Sequence, residues 1–202
     1  MPVNLEPCRA SDLRGSTPTP MKLLIVYGTT EGHTRKVARF IEDYLQDKGH
    51  AVSISDATDE PPPPNGFDAA ILAGSVHMQK YQGALGHYAK AYSTELNAMP
   101  SALLSVSLGV ASGDEGLMHE AMLNATTFVH DAGWTPHRIL LVAGALKYLE
   151  YDFLKRMIMR MIAKKEGRDT DTTKDYEYTD WEALRGFCDE FVANHARKAP
   201  LT

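Results

Sequence analysis

The stretch Lys22-Leu23-Leu24-Ile25-Val26-Tyr27-Gly28-Thr29-Thr30-Glu31-Gly32-His33-Thr34 decides the fold. After Lys22 it runs through apolar, largely β-forming side chains, then packs glycines and hydroxyls into a turn. Beyond the turn, Val37, Phe40, Ile41, Tyr44 and Leu45 recur at helical spacing over residues 34–48, and Gly49 ends the helix. A buried strand that passes through such a turn straight into an amphipathic helix is the opening unit of an α/β sheet.

The remaining chain repeats the alternation. Residues 51–55, 67–74, 102–108 and 138–146 read as further strands. Residues 84–99 and 115–132 read as helices between them, and Pro61 to Pro64 with Asn65-Gly66 form a stiff loop. Thr179-Asp180-Trp181-Glu182 has the form of a capping box opening a last helix that runs to about His195. This order predicts one parallel sheet with helices on both faces. Residues 147–178 are left over as an insertion between the fifth strand and the last helix.

The first turn is suited to an anion. Free amides at a helix N-terminus point outward with the positive end of the helix dipole, threonine hydroxyls can donate to phosphate oxygens, and Gly32 lets the backbone come close. The turn lacks both the Gly-Lys-Ser/Thr ending of a triphosphate loop and the Gly-x-Gly-x-x-Gly of a dinucleotide site, and no Lys or Arg stands between Tyr27 and Thr34. It therefore predicts a phosphomonoester held by amides and hydroxyls alone. Two more loops leave strand carboxyl ends, Gly74-Ser75-Val76-His77-Met78-Gln79-Lys80-Tyr81 and Ser105-Val106-Ser107-Leu108-Gly109. In an open α/β sheet, such loops enclose one ligand at the switch point. His77, Met78 and Tyr81 offer stacking or apolar contact, and the amides around Gly74-Ser75 and Ser107-Gly109 offer polar contacts.

Bulk properties narrow the class. A chain of 202 residues with 44% hydrophobic content supports one sizeable core. A formal charge of -5 argues against a nucleic-acid partner. Cys8 and Cys188 lie far apart with no Cys-x-x-Cys pair, and the eight histidines show no ligand spacing, so no disulfide framework, cluster or metal is expected. No stretch approaches the roughly 18 apolar residues of a membrane span. A cytoplasmic location is expected. Residues 1–20, rich in Pro, Ser and charge, are expected to be a disordered tail before a domain spanning 21–202.

The loop Thr29-Thr30-Glu31-Gly32-His33-Thr34 resembles the flavodoxin phosphate loop, with Thr29, Thr30, Gly32 and Thr34 in register and Glu31 where flavodoxins prefer Thr. The resemblance implies a flavodoxin-like, five-stranded doubly wound sheet of order 2-1-3-4-5 that binds FMN through residues 29–34, Ser75, Val76, His77, Met78, Ser107, Leu108 and Gly109. The later segments resemble, more narrowly, the menaquinone-dependent protoporphyrinogen dehydrogenases. The resemblance rests on Met99-Pro100-Ser101-Ala102, Trp134-Thr135-Pro136-His137-Arg138, Ala143-Gly144-Ala145-Leu146-Lys147-Tyr148, and Thr170-Asp171-Thr172 with Tyr178-Thr179-Asp180-Trp181-Glu182. It implies oxidation of protoporphyrinogen IX to protoporphyrin IX in heme synthesis, with electrons passed through FMN to menaquinone or ubiquinone. His77 is the reachable titrating group for the proton. The family typically has Arg where His77 and Lys147 stand here.

Residues 147–165 carry six cations against two carboxylates, with Phe153, Leu154, Met157, Ile158, Met161 and Ile162 at helical spacing between them. Such a basic amphipathic helix either lies on an anionic membrane surface, receives an anionic porphyrin, or packs its stripe on the sheet. Lys147, Tyr148, Lys155, Arg156 and Arg160 are the candidate substrate or membrane contacts. Two other classes share the phosphate loop: an electron carrier with no substrate of its own, and an FMN-dependent NAD(P)H quinone reductase.

Overall fold

In the computed structural model, residues 19–77, 79–146 and 176–195 are described. Five parallel strands, β1 (Lys22–Gly28), β2 (Ala51–Asp56), β3 (Ala69–Ser75), β4 (Ser101–Ser107) and β5 (Arg138–Ala143), form one sheet of order β2-β1-β3-β4-β5. The central strands β1, β3 and β4 are almost wholly buried, as expected where helices cover both faces.

Alternation along each strand divides the core in two. Leu23, Ile25 and Tyr27 of β1, with Ile71, Leu104 and Val142, face α1 (His33–Asp47) and the C-terminal helix, α6 (Trp181–His195), which contributes Leu184, Phe187, Phe191 and Val192. Leu24 and Val26, with Leu72 and Leu103, face α2 (Gly83–Ala91), α3 (Ser93–Ala98) and α5 (Glu115–Ala132). At the amino end of the sheet, buried Trp134 donates to Ser101 Oγ (2.9 Å), which donates to the Leu96 carbonyl (2.9 Å). The backbone amide of Ser101 donates to His137 Nδ1.

Several boundaries differ from expectation. The helix expected over 84–99 is two helices, broken at Tyr92, whose backbone (φ -113, ψ 24) leaves the helical region. The third strand starts at Ala69 rather than at 67: the Phe67 amide closes a turn onto the Pro64 carbonyl (3.1 Å), and the Asp68 carboxylate accepts from the Lys22 amide. The strand expected over 138–146 ends at Ala143. After Gly144, β6 (Ala145–Leu146) pairs antiparallel with β7 (Tyr176–Glu177) as a separate ribbon. Leu108 and Gly109 are not an open loop but begin a short helix, α4 (Leu108–Ala111). The last helix is capped by Asp180, which accepts from the Ala183 amide at 2.9 Å, while the Thr179 hydroxyl donates instead to the Ala143 carbonyl (2.7 Å). The expected tail lies outside the described residues apart from Thr19 and Pro20, as does the insertion up to residue 175.

His50 links β1 to the end of α1: the Met21 amide donates to its Nδ1 at 3.1 Å, and burial lowers the imidazole pKa. A histidine whose folded pKa is depressed contributes stability that is full above its ordinary value of about 6.5 and is lost as pH falls through that range. The melting temperature is expected to fall between pH 7 and pH 5, with a shallower slope in His50→Asn; equal slopes would remove His50 as a titrating group.

Candidate functional site

The carboxyl ends of the central strands meet along one edge, with Gly28 opposite Gly74, Gly74 opposite Ser105, and Ser107 opposite Ala143. The β1–α1, β3–α2 and β4–α4 connections leave from this edge, so all three sequence-predicted loops gather there. In this strand order the chain changes direction between β1 and β3, which is where an open α/β sheet has its crevice.

The β1–α1 turn is shaped by its own residues. Gly32 sits in the left-handed region (φ 86), and its amide donates to Thr29 Oγ1 at 2.9 Å. No side chain caps α1, whose first internal bond runs from the Lys36 amide to the Gly32 carbonyl. The amides of Thr34 and Arg35 therefore have no intrahelical partner. Thr29 spends lone-pair capacity on Gly32 and keeps its hydroxyl proton for a ligand. Glu31 is exposed and adds no donor.

Two buried side-chain oxygens among the described residues lack any partner, Thr34 Oγ1 and Ser107 Oγ. Both belong to loops expected to hold the cofactor. A buried hydroxyl left unsatisfied costs about 1–3 kcal/mol, so such groups ordinarily have a partner to meet. A phosphate at the uncapped start of α1 supplies an acceptor to the first, and the polar edge of a flavin ring suits the second. The residues fit FMN.

The other predicted contacts divide. Ser75 stays at the end of β3, half-buried. The Val76 amide continues the ladder to the Val106 carbonyl (2.9 Å) and is not left for a ligand. His77 is exposed on a tight turn closed by its amide to Lys80 O (2.9 Å) and the Lys80 amide to His77 O (3.0 Å). The Gln79 side chain reaches Glu120 of α5. Tyr81 points inward: its hydroxyl donates to Ser105 Oγ (2.7 Å), its ring lies 4.4 Å from that of Phe128, and burial pushes its pKa up to about 12. It packs, partly buried, against the core. Met78, Lys147, Tyr148, Lys155, Arg156 and Arg160 lie outside the described residues.

The His33 ring turns away from the phosphate turn toward Thr179. Because the Thr179 hydroxyl proton goes to the Ala143 carbonyl, His33 Nε2 donates to Thr179 Oγ1 (2.7 Å). Lys36 pairs with Glu177 of β7; burial would raise the Glu177 pKa, but the Lys36 bond and charge more than offset it and lower the pKa. The phosphate turn is thus tied to the ribbon where the insertion begins and ends. Sequence reasoning missed Gln82, just before α2, whose side-chain amide lies between Thr30 Oγ1 (2.8 Å) and Ser75 Oγ (2.6 Å). Its only signal was a polar residue next to Tyr81 at a helix start. Cys188 is buried with its thiol pushed up to about 12, so it stays protonated and inert near neutrality.

A parallel sheet of this order, with an uncapped turn that carries no Lys or Arg from Tyr27 to Thr34 at its switch point, is the architecture of an FMN-dependent oxidoreductase of the flavodoxin class. The chain belongs to the flavodoxin domain family, whose model matches residues 24–173. It is 33% identical over 173 residues to the protoporphyrinogen IX dehydrogenase [quinone] of Escherichia coli K12, covering 85% of this chain and 95% of that protein. It is 34% identical over 178 residues to the protein of the same name from Leishmania major, covering 85% and 75%. The fold matches oxidised flavodoxin 1 from Bacillus cereus, with a TM-score of 0.52 at 14% identity over 85% of this chain and 97% of that one.

Thr34→Val removes the orphan hydroxyl at nearly constant volume. The apoprotein is expected to melt no lower than wild type, while FMN binds about tenfold or more weakly, as the loss of a hydrogen bond to a charged group implies. Calorimetry and flavin fluorescence titration check the two halves; unchanged FMN affinity would take Thr34 out of the phosphate site.

Proposed function

We propose that this chain oxidises protoporphyrinogen IX to protoporphyrin IX and passes the electrons to a membrane quinone, with FMN as the carrier. The observation that carries this reading is similarity to two enzymes of that name across 85% of the chain, so that it takes in the insertion as well as the phosphate turn. Bound flavin supplies two-electron redox chemistry, and the protein supplies position and electrostatics. In each step the porphyrinogen loses a hydride equivalent and a proton, and the quinone gains two electrons and two protons as hydroquinone.

The amides of Thr34 and Arg35 with the Thr29 and Thr34 hydroxyls hold the phosphate. Ser107, the backbone of Leu108 and Gly109, and the β3–α2 loop from Ser75 to Met78 border the ring. His77, exposed on its turn, takes the proton released from the porphyrinogen. Lys147, Tyr148, Lys155, Arg156 and Arg160 meet the porphyrin carboxylates or anionic lipid headgroups. Quinones dissolve in lipid, so the enzyme works as a peripheral protein on the inner face of the cell membrane. Among the described residues no helix is long and apolar enough to cross one.

Flavin-saturated protein given protoporphyrinogen and a menaquinone analogue is expected to produce porphyrin fluorescence well above the spontaneous rate. Reduction by NAD(P)H alone would favour a quinone reductase, and reduction only by a protein reductase would favour an electron carrier; either, without porphyrin formation, sinks the proposal. A second prediction concerns the insertion. Its roots are paired neighbours, Leu146 opposite Tyr176, so replacing residues 147–175 by an Asn-Gly turn keeps the ribbon closed. This variant is expected to retain FMN but to lose binding to anionic vesicles; unchanged sedimentation with vesicles would refute the membrane role.

A further inference from the structure

We infer that Gln82 is a positioning residue that fastens the phosphate end of the FMN site to its ring end, holding both in binding geometry before any ligand arrives. The inference rests on the cofactor reading above and adds to it a residue remote in sequence from the phosphate turn.

Gln82 occupies the N-cap position of α2 with extended backbone (φ -60, ψ 133), yet its side chain does not cap its own helix. It turns back across the ends of β1 and β3. In the amide orientation that satisfies every neighbour, Nε2 donates to the carbonyls of Gly28 (3.1 Å) and Ser75 (3.3 Å), and Oε1 accepts from the hydroxyls of Thr30 (2.8 Å) and Ser75 (2.6 Å). Both amide donors and both lone pairs are then used. One side chain joins the end of β1, the phosphate turn and the end of β3.

The strand beneath leaves room for it. A Cβ on Gly28 would stand 2.9 Å from the Gln82 amide and 3.2 Å from its Cβ, so a side chain there would displace the bridge. The proton count also assigns roles. Thr30 and Ser75 give their hydroxyl protons to Oε1 and face a ligand with lone pairs only. A phosphate dianion, which needs donors, must find them in Thr29, Thr34 and the amides. Ordering both loops in advance lowers the entropy lost on binding, whichever end of the ligand arrives first.

Riboflavin, which has the ring without the phosphate, separates a link from a simple phosphate contact. Dissociation constants for FMN and riboflavin are measured by flavin fluorescence in wild type, Gln82→Leu, Gln82→Glu and Gly28→Ala, with Thr34→Val as reference. Gln82→Leu and Gly28→Ala are expected to weaken both ligands about tenfold, whereas Thr34→Val weakens FMN alone. Gln82→Glu places a carboxylate against the Gly28 and Ser75 carbonyls. Its riboflavin affinity is expected to be low near neutrality and to recover as pH falls through the carboxyl range, when protonation restores a donor. Gln82→Leu shows no such recovery, so the pH response identifies the link even where the apolar variant folds poorly. Wild-type affinities for both ligands in folded Gln82→Glu at neutral pH, or a loss confined to FMN, overturn the proposal alone. A wild-type protein that binds no FMN overturns the cofactor reading and this proposal with it.

Discussion

The start of α1 lacks a cap, and much of the site follows from that. A helix N-terminus leaves amides without internal partners, and most helices answer with a Ser, Thr, Asp or Asn side chain at the N-cap. Here the N-cap is Gly32, which has no side chain to offer. The nearest hydroxyl, Thr29, is drawn to the Gly32 amide, and Thr34 Oγ1 is buried without a partner. The Thr34 hydroxyl is thus left at an uncapped helix start with no acceptor. An anion is the natural complement of a helix start, and no Lys or Arg stands from Tyr27 to Thr34.

The same turn is braced from both sides. Toward β3, Gln82 spans the gap between Thr30 and Ser75. Toward β5 and α6, His33 is tied through Thr179 to the Ala143 carbonyl, and Lys36 is paired with Glu177. The exposed ion pair adds little by itself. Its importance is where it sits, since β7 is the strand by which the chain returns from the insertion. The turn proposed to hold the cofactor and the roots of the segment proposed to meet porphyrin or lipid therefore share one set of contacts.

Much of this was legible in the sequence because the signals were local and strong. The apolar run 23–26, the 3.6-residue spacing of α1, and residues 115–132 bounded by Asp114 and Gly133 each point to one structure, and α5 has the expected limits. The misreadings arose where tertiary contacts overrode a local pattern. Thr179 has the sequence of a cap but is drawn off by Ala143 and His33, which leaves the cap to Asp180. Tyr81 stands in a loop expected to touch the flavin, but Gly74 beneath it leaves a space that its ring fills: a Cβ there would lie 2.6 Å from Tyr81. Gln82 was invisible because its partners are far away in sequence, and nothing local distinguishes a bridging glutamine from a solvated one.

The residues behind the resemblance do different physical work. Met99-Pro100-Ser101 and Trp134 to Arg138 meet at the amino end of β4 and β5, where the buried Trp134 indole and Ser101 hydroxyl are hydrogen-bonded and the Ser101 amide donates to exposed His137. That is the edge opposite the cofactor loops. These segments build the sheet; they cannot touch an FMN at the carboxyl edge, and likeness there speaks for shared fold and descent. Ala143-Gly144-Ala145 lies at the functional edge instead, with the Gly144 amide donating to the Ser107 carbonyl and a Cβ on Gly144 approaching Ser107 at 3.4 Å. Gly144 thus brings the exit of β5 against the residue whose hydroxyl is orphaned, and it redirects the chain into the ribbon before the insertion begins. Together with the turn that carries His77, the chain from Gly144 onward is therefore where the proposed porphyrinogen chemistry departs from that of a plain electron carrier.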